Sequence, residues 1–161
     1  MNSKQYMPRT IDSKIKFLME NFGAIEVVGP RYCGKTRTSE TFASTTLNID
    51  NENTKTIVES DPSVILKNTK PILLDEWQDI PQIWDFVRRT VDKSSNKTGQ
   101  FILSGSSSVD KSKISHSGAG RIAKCTMQTM RLFEVGASSG EVSLQALFQG
   151  QFSSYESKTS L

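Results

Sequence analysis

The chain has 161 residues, of which 35% are hydrophobic, and a formal net charge of +3. Its length is typical of one domain and is sufficient to bury a hydrophobic core. Because the charge is small and both signs are interspersed, charge alone does not indicate nucleic-acid binding. We expect neither a signal peptide nor a membrane-spanning helix, since the sequence has no apolar run of about 18 residues. The two cysteines, Cys33 and Cys125, do not make a disulfide framework, which favours a reducing, cytoplasmic location.

The predicted elements begin with an extended lead-in at residues 6–9 and a helix that Asp12 or Ser13 can cap. Apolar residues spaced i, i+3, i+4 and i+7 form one face of this helix: Ile15, Leu18, Met19 and Phe22. Gly23 ends the helix, and the apolar residues 24–28 are typical of a buried strand.

A glycine-rich motif follows this strand and fits the pattern G-x-x-x-x-G-K-[ST] without a mismatch. It consists of Gly29, Pro30, Arg31, Tyr32, Cys33, Gly34, Lys35 and Thr36. Strand, glycine-rich turn and helix is the context in which such a loop binds phosphate: its backbone N–H groups form an anion nest, and the helix N-terminus adds its dipole. Lys35 is expected to reach the β- and γ-phosphates, and the Thr36 hydroxyl to ligate Mg²⁺. We include the next residue, Arg37, in the predicted nucleotide-binding segment, and both flanks disfavour a glycine-rich turn without function.

The signals are weaker between this loop and the next apolar strand. A helix is expected over residues 36–43 because the loop requires one, although threonine and serine have low helix propensity. A strand is predicted at 46–49, followed by a polar connection at 51–56. Asp61 and Pro62 are a suitable N-cap and N1 pair for a short helix.

Two carboxylates, Asp75 and Glu76, close the next predicted strand, residues 71–76. An aspartate in this position holds Mg²⁺, usually through a water ligand. A carboxylate directly after it can orient and polarise an attacking water. The alternative, a strand that ends in solvated acids, is less favoured because a phosphate-binding motif lies upstream.

A helix is predicted to begin at residues 79–81, and we expect Trp84 on this helix and Trp77 before it to have packing roles. A strand at 101–103 ends at Ser104. The Ser104 hydroxyl can contact a γ-phosphate or the attacking water, with a plain Ser-Gly turn as the alternative.

The last predicted elements are a loop at 107–120, an alternating strand at 123–127 and a short helix near Leu144. Arg121 lies between the loop and the strand. It is a candidate to stabilise transition-state charge, either within its own chain or as an arginine finger in a neighbouring subunit. A surface arginine that opens a strand is an equally good interpretation.

Strands that alternate with helices predict an α/β fold, a mainly parallel sheet with helices on both faces. Such sheets bind ligands at the carboxyl ends of their strands, where the glycine-rich loop, the carboxylate pair and Ser104 are all expected. We divide the chain into a lead-in with the first helix at 1–22, a core at 23–150 and a flexible tail at 151–161.

Two alternatives to ATP hydrolysis can be compared with the sequence. The Asn-Lys-Thr-Gly segment at 96–99 superficially matches the guanine-reading Asn-Lys-x-Asp motif, but it lacks the final aspartate and precedes a strand. ATP is therefore favoured over GTP. A small-molecule kinase is disfavoured because Glu76 suits water activation better than transfer to a bound acceptor.

Several sequence blocks over about residues 5–150 resemble prokaryotic AAA-superfamily ATPases that carry a C-terminal domain of unknown function. Beyond the glycine-rich motif, these blocks include Leu74-Asp75-Glu76-Trp77-Gln78, Gly99-Gln100-Phe101-Ile102-Leu103-Ser104-Gly105-Ser106 and Gly118-Ala119-Gly120-Arg121. The Asp-Glu-Trp-Gln and Gly-Ala-Gly-Arg blocks are far more specific than the glycine-rich motif alone. The resemblance implies an ASCE-type P-loop fold, a three-layer sandwich in which an added strand lies between the Walker strands. It also implies a five-stranded sheet, Walker A at 29–36, Walker B at Asp75, a catalytic Glu76 and a sensor residue at Ser104.

Members of this family usually continue through a helical lid and the C-terminal domain, whereas this chain resembles the ATPase domain alone, so we expect the lid to be absent. A homo-oligomer, and a DNA or protein partner through the further domain, stay open. We predict an ATP-binding domain for Mg²⁺-dependent hydrolysis. The alternative is a nucleotide-binding or oligomerisation module without turnover.

Overall fold

The computed structural model describes residues 6–95, 97–106, 117–138 and 144–150. Five strands lie within these residues: β1 (Ala24–Gly29), β2 (Thr45–Asn48), β3 (Ile72–Asp75), β4 (Phe101–Ser106) and β5 (Ile122–Thr126). The helices are α1 (Asp12–Asn21), α2 (Lys35–Glu40), α3 (Glu52–Ser60), α4 (Gln82–Lys93) and α5 (Leu144–Phe148). Two 3₁₀ helices span Pro62–Lys67 and Trp77–Asp79.

The five strands form one parallel sheet in the order β2-β3-β4-β1-β5. β4 therefore lies between β1 and β3, as the sequence resemblance implies. β1 and β3 are buried along their whole length, which explains why they are nearly continuous apolar runs. The predicted α/β fold with a parallel five-stranded sheet is confirmed.

Alternate residues of the strands divide the core into two layers. One layer joins Leu74 and Leu103 to Val58 of α3, Ile65 of the first 3₁₀ helix and Val87 of α4. The other layer joins the strand residues on the opposite face of the sheet to the apolar face of α1 and to the segment after α2. The buried residues of this second layer are Ile15, Ile25, Val27, Cys33, Leu73, Ile102, Cys125 and Met127. Helices thus cover both faces of the sheet, as expected for a parallel sheet.

Several element boundaries differ from the sequence predictions. Neither Asp12 nor Ser13 caps α1, because Ile11 occupies the N-cap position and makes no side-chain cap bond. The helix after the glycine-rich loop ends at Glu40, three residues before the predicted end, in line with its poor helix-forming composition. The polar connection predicted at 51–56 is wrong, since most of it belongs to α3.

Side-chain caps account for two of the helix starts. The Asn51 side chain accepts hydrogen bonds from the N–H groups of Asn53 (3.1 Å) and Thr54 (3.3 Å), which begins α3 despite its polar sequence. The predicted cap at Asp61 is confirmed, because its carboxylate accepts from the Ser63 N–H at 2.9 Å and starts the 3₁₀ helix. Hydrogen bonds from the side chain and the backbone N–H of Ser63 lower the pKa of Asp61.

The chain divides into two compact units. Thr10–Thr129 contains the sheet and α1–α4, and the second unit consists of Met1–Arg9 and Met130–Leu161. Within the second unit, Arg9 and Glu134 form a buried ion pair at 3.2 Å, and Glu134 also accepts the Arg131 N–H. The proposed tail at 151–161 and most of the predicted loop at 107–120 lie outside the described residues. Within the described part of the chain, no helix is long and apolar enough to cross a membrane.

We predict that Asn51→Ala destabilises the sheet-containing unit by about 1 kcal/mol, because two amide groups at the start of α3 lose their acceptor. Asn51→Asp keeps an acceptor and should retain nearly all of the stability. Urea unfolding followed by circular dichroism measures both values. Equal losses in the two variants would show that the cap is not the cause.

Candidate functional site

The ends of β1, β3 and β4 lie side by side because the strands are parallel and in register. Ser104 pairs with Val27 on one side and with Asp75 on the other. Gly29, the last residue of β1, pairs with Ser106. The sequence-predicted carboxylates, serine and glycine-rich loop therefore meet at one edge of the sheet.

The backbone of the glycine-rich loop turns through left-handed conformations. Gly34, at the N-cap of α2, has φ 96°, and Tyr32 has φ 61° with a fully exposed side chain. At Gly29 a Cβ atom would come closer than 3.0 Å to the carbonyl oxygen of Met127 and would contact the Cys33 sulfur at 3.1 Å. The backbone at the start of the loop can pass this close to Met127, the residue after β5, only because position 29 is glycine.

Lys35 is a buried cation inside this loop. Its side chain folds back so that Nζ donates hydrogen bonds to the carbonyl oxygens of Gly29 (3.1 Å) and Pro30 (2.9 Å). Only 8% of the residue is exposed. Both acceptors are neutral carbonyl groups, so they hold the ammonium group at the loop without balancing its positive charge. The group is therefore suited to bind an anionic ligand.

Thr36 and Asp75 connect the loop to the sheet. The Thr36 hydroxyl lies 3.2 and 3.0 Å from the two carboxylate oxygens of Asp75, to which it donates. These are hard oxygen donors, the kind that Mg²⁺ prefers, and Mg²⁺ is usually held by one or two protein carboxylates plus phosphate oxygens and water. The donor set fits Mg²⁺ in this role, and the described residues contain no cluster of three His, Cys, Asp or Glu side chains that would hold a metal alone.

Glu76 occupies an unusual backbone position at the end of β3. Its φ of 53° and ψ of 41° are left-handed, and the 3₁₀ helix Trp77–Asp79 follows directly. The Trp77 ring is fully buried and packs against Trp84, with the ring centroids 5.2 Å apart, so the expected packing roles are confirmed. This anchored turn leaves the Glu76 carboxylate only partly buried, where it accepts a hydrogen bond from the Gln78 side-chain amide.

Ser104 is 1% exposed, and its hydroxyl oxygen has no hydrogen-bond partner among the described residues. A buried polar group without a partner is rare in native proteins and often marks a place where a ligand or water binds. The position of Ser104 beside Asp75 in the sheet is the one predicted for a residue that contacts a γ-phosphate.

The structure does not bring every predicted site residue to this edge. Arg121 directly precedes β5, and its carbonyl oxygen accepts the Ala24 N–H at the start of β1, so it lies at the opposite end of the sheet. Its guanidinium Nε donates to Asp92 at 2.6 Å. This position corrects the idea that Arg121 acts on a phosphate in its own chain, because the length of β1 separates them.

The remaining predicted residues lie on the rim or below the loop. Pro30, Arg31 and Arg37 are exposed, and Arg37 forms an ion pair with Glu40 at 3.5 Å. Cys33 and Cys125 are buried free thiols, and burial raises the pKa of Cys125. Gln78, to which no role was assigned from the sequence, is the additional residue at the site, and its sequence signal is its place at the end of the Asp75-Glu76-Trp77-Gln78 block.

The left-handed backbone of Glu76 leads to a stability prediction. A residue with a Cβ is strained in this conformation by about 1–2 kcal/mol, whereas glycine is not. Glu76→Gly should therefore be more stable than Glu76→Ala by about 1 kcal/mol in urea unfolding. The matched control is Glu59 in α3, where Gly should be less stable than Ala by a similar amount. Identical midpoints for the two Glu76 variants would contradict the strain.

Comparison with known proteins agrees with the observed geometry. Residues 21–136 match the AAA_14 family model, described as an AAA domain. The matched segment contains all five strands and the glycine-rich loop. No curated protein sequence matches the chain. Because the family model covers more than half of the chain, the chain belongs to the AAA_14 family of AAA domains, which are nucleotide-binding P-loop domains of the ATPase type.

Proposed function

We propose that this domain binds ATP with Mg²⁺ and hydrolyses it to ADP and phosphate. The observation that carries the proposal is the contact between the Thr36 hydroxyl and the Asp75 carboxylate, beside the buried Lys35 ammonium. A buried ammonium group and two hard oxygen donors at one edge of the sheet support the binding of phosphate and Mg²⁺ there. Glu76 directly follows Asp75 after the end of β3, and Ser104 lies beside Asp75 on β4.

Each residue has a distinct role in this proposal. The loop N–H groups and Lys35 hold the β- and γ-phosphates, and Lys35 would exchange its two carbonyl acceptors for phosphate oxygens. Mg²⁺, held by Thr36 and Asp75, supplies neutralisation of phosphate charge when it is bound. Glu76 orients the attacking water, and the Ser104 hydroxyl donates to the γ-phosphate.

ATP is the proposed nucleotide for a structural reason as well. The Lys97–Gly99 part of the segment that superficially matches a guanine-reading motif precedes β4, and the Gly99 N–H bonds to the Phe22 carbonyl oxygen near the start of β1. This is the edge of the sheet opposite the glycine-rich loop. The segment therefore cannot read a base bound at that loop.

Arg121 retains one proposed role, as an arginine finger in a homo-oligomer. Its side chain is 49% exposed at the far end of the sheet, where a second copy could approach it. In this arrangement Arg121 of one copy would reach the phosphates bound by the next copy. A DNA or protein partner, cytoplasmic location and the boundaries of the core at 23–150 also stay predictions from the sequence.

Phosphate release and nucleotide affinity test the catalytic proposal. We predict that Glu76→Gln lowers kcat by about 100-fold or more while ATP still binds, because the carboxylate that orients water is lost. Lys35→Ala should weaken ATP binding by about tenfold or more, since it removes a charge-assisted bond. Lys67→Ala, which removes an exposed lysine from the first 3₁₀ helix, is the charge-matched control and should change neither value.

The possible results separate the two candidate functions. Equal phosphate release from Glu76→Gln and the unchanged chain, with ATP still bound, would favour a binding or oligomerisation module without turnover. ATP binding that is insensitive to Lys35→Ala would contradict the phosphate-loop assignment itself.

The Mg²⁺ assignment has its own test. Calorimetry with a non-hydrolysable ATP analogue measures how much Mg²⁺ tightens binding. Thr36→Val and Asp75→Asn should each reduce this gain by about tenfold, because the first removes a proposed oxygen ligand and the second removes the negative charge that helps to hold the cation. Thr56→Val is the control, since the Thr56 hydroxyl only bonds the Glu52 carbonyl within α3. An unchanged Mg²⁺ effect in both site variants would contradict the assignment.

A further inference from the structure

The side chain of Gln78 spans the gap between Glu76, the residue after β3, and the end of β4. Its amide nitrogen, Nε2, donates to a carboxylate oxygen of Glu76. Its amide oxygen, Oε1, is buried on the side of Gly105 and has no hydrogen-bond partner among the described residues. Gln78 therefore contacts the proposed water-orienting carboxylate with one end of its amide and the neighbouring strand with the other.

Gly105 provides the space that the Gln78 amide occupies. A Cβ atom on residue 105 would lie closer than 3.0 Å to Oε1 of Gln78 and 3.3 Å from its Cδ. Such an approach essentially never occurs between real atoms, so any side chain at position 105 must displace the amide. Gly105 directly follows Ser104, and it pairs with Val28 just before the glycine-rich loop.

The space beside Gly105 is also bounded by a tryptophan. The buried Trp77 side chain supplies a second wall, with its indole Nε1 lying 3.3 Å from the same Cβ position. Trp77 cannot retreat easily, because its ring is fully buried against Trp84. A side chain fixed by packing keeps its hydrogen-bonding partner in a fixed place.

We propose that Gln78 is a positioning residue for Glu76 and that Gly105 is required to admit it, an inference that rests on the proposed ATP hydrolysis. The neutral amide holds one carboxylate oxygen of Glu76 without neutralising its charge. The second oxygen stays available to accept a hydrogen bond from water. Gln78 also connects the turn after β3 to β4, so that the carboxylate and the Ser104 hydroxyl keep a constant separation.

A double-mutant cycle tests this proposal, with kcat and ATP affinity measured for Gln78→Ala, Gly105→Ala and the double variant. Each single variant should lower kcat by about 10- to 100-fold, because a misplaced catalytic group is costly, and ATP affinity should stay within about twofold. In the double variant the new Cβ no longer meets the amide. Its kcat should equal that of Gln78→Ala alone, which is non-additivity of the kind expected for contacting residues.

A further variant separates the hydrogen bond from packing. Gln78→Met fills similar volume but has no N–H donor, so it should lower kcat as much as Gln78→Ala does while keeping the urea midpoint of the unchanged chain. This measurement also stands by itself if Gly105→Ala fails to fold. A structural role alone would move the midpoint and leave the kcat of the folded Met variant unchanged.

The outcomes distinguish this inference from the proposed function. If the unchanged chain releases no more phosphate than Glu76→Gln, the proposed hydrolysis is wrong and the positioning role falls with it. If the chain hydrolyses ATP and Gln78→Met retains full kcat, or if the losses in the cycle are additive, only the positioning role is overturned.

Discussion

The parallel hydrogen bonding of β1, β4 and β3 determines where every proposed catalytic group lies. β4 is paired on both sides, and its Ser104 stands between Val27 and Asp75. A shift of one residue in this register would turn each strand residue to the opposite face of the sheet. Leu73 and Leu74 belong to different core layers, so such a shift would exchange which strand residues pack against the helices on each face. The two hydrophobic layers thus maintain the spacing of the site at the sheet edge.

Several residues of the site have backbone conformations or buried polar groups that lower the stability of the fold, and packing of the core offsets this loss. Tyr32 and Glu76 have left-handed backbones, Lys35 is a buried cation, and Ser104 is a buried hydroxyl without a partner among the described residues. Each of these unfavourable features lies within the glycine-rich loop or at the carboxyl end of a strand. Such clustering is typical of functional sites, where surrounding structure over-determines an unfavourable local state. Here the fully buried Trp77 and the strands beneath the loop provide that support.

Local signals allowed the loop, β1, β3 and the Asp75–Glu76 pair to be predicted, because a motif and consecutive apolar residues are visible in single short segments. The helix α3 was missed since its residues are polar, and the Asn51 cap that begins it was not recognised. The position of Arg121 along the chain was known, but its position in the fold was not predicted. Arg121 directly precedes β5, and a parallel strand begins at the edge of the sheet away from the loop. The role of Gln78 depends on a positive φ at Glu76 and on empty space at Gly105. Neither property produces a periodic pattern in the sequence, so the sequence alone could not predict that Glu76, Gln78 and Gly105 lie together.

The packed tryptophans have a consequence for observing this domain. Trp77 and Trp84 are the two tryptophans in the sequence, and they are in contact with each other. Trp77 is also the residue directly after Glu76. The tryptophan fluorescence of the chain therefore originates from one packed pair, Trp84 on α4 and Trp77 in the turn that follows the proposed water-orienting carboxylate. The protein contains a built-in optical reporter of that turn, which requires no added label.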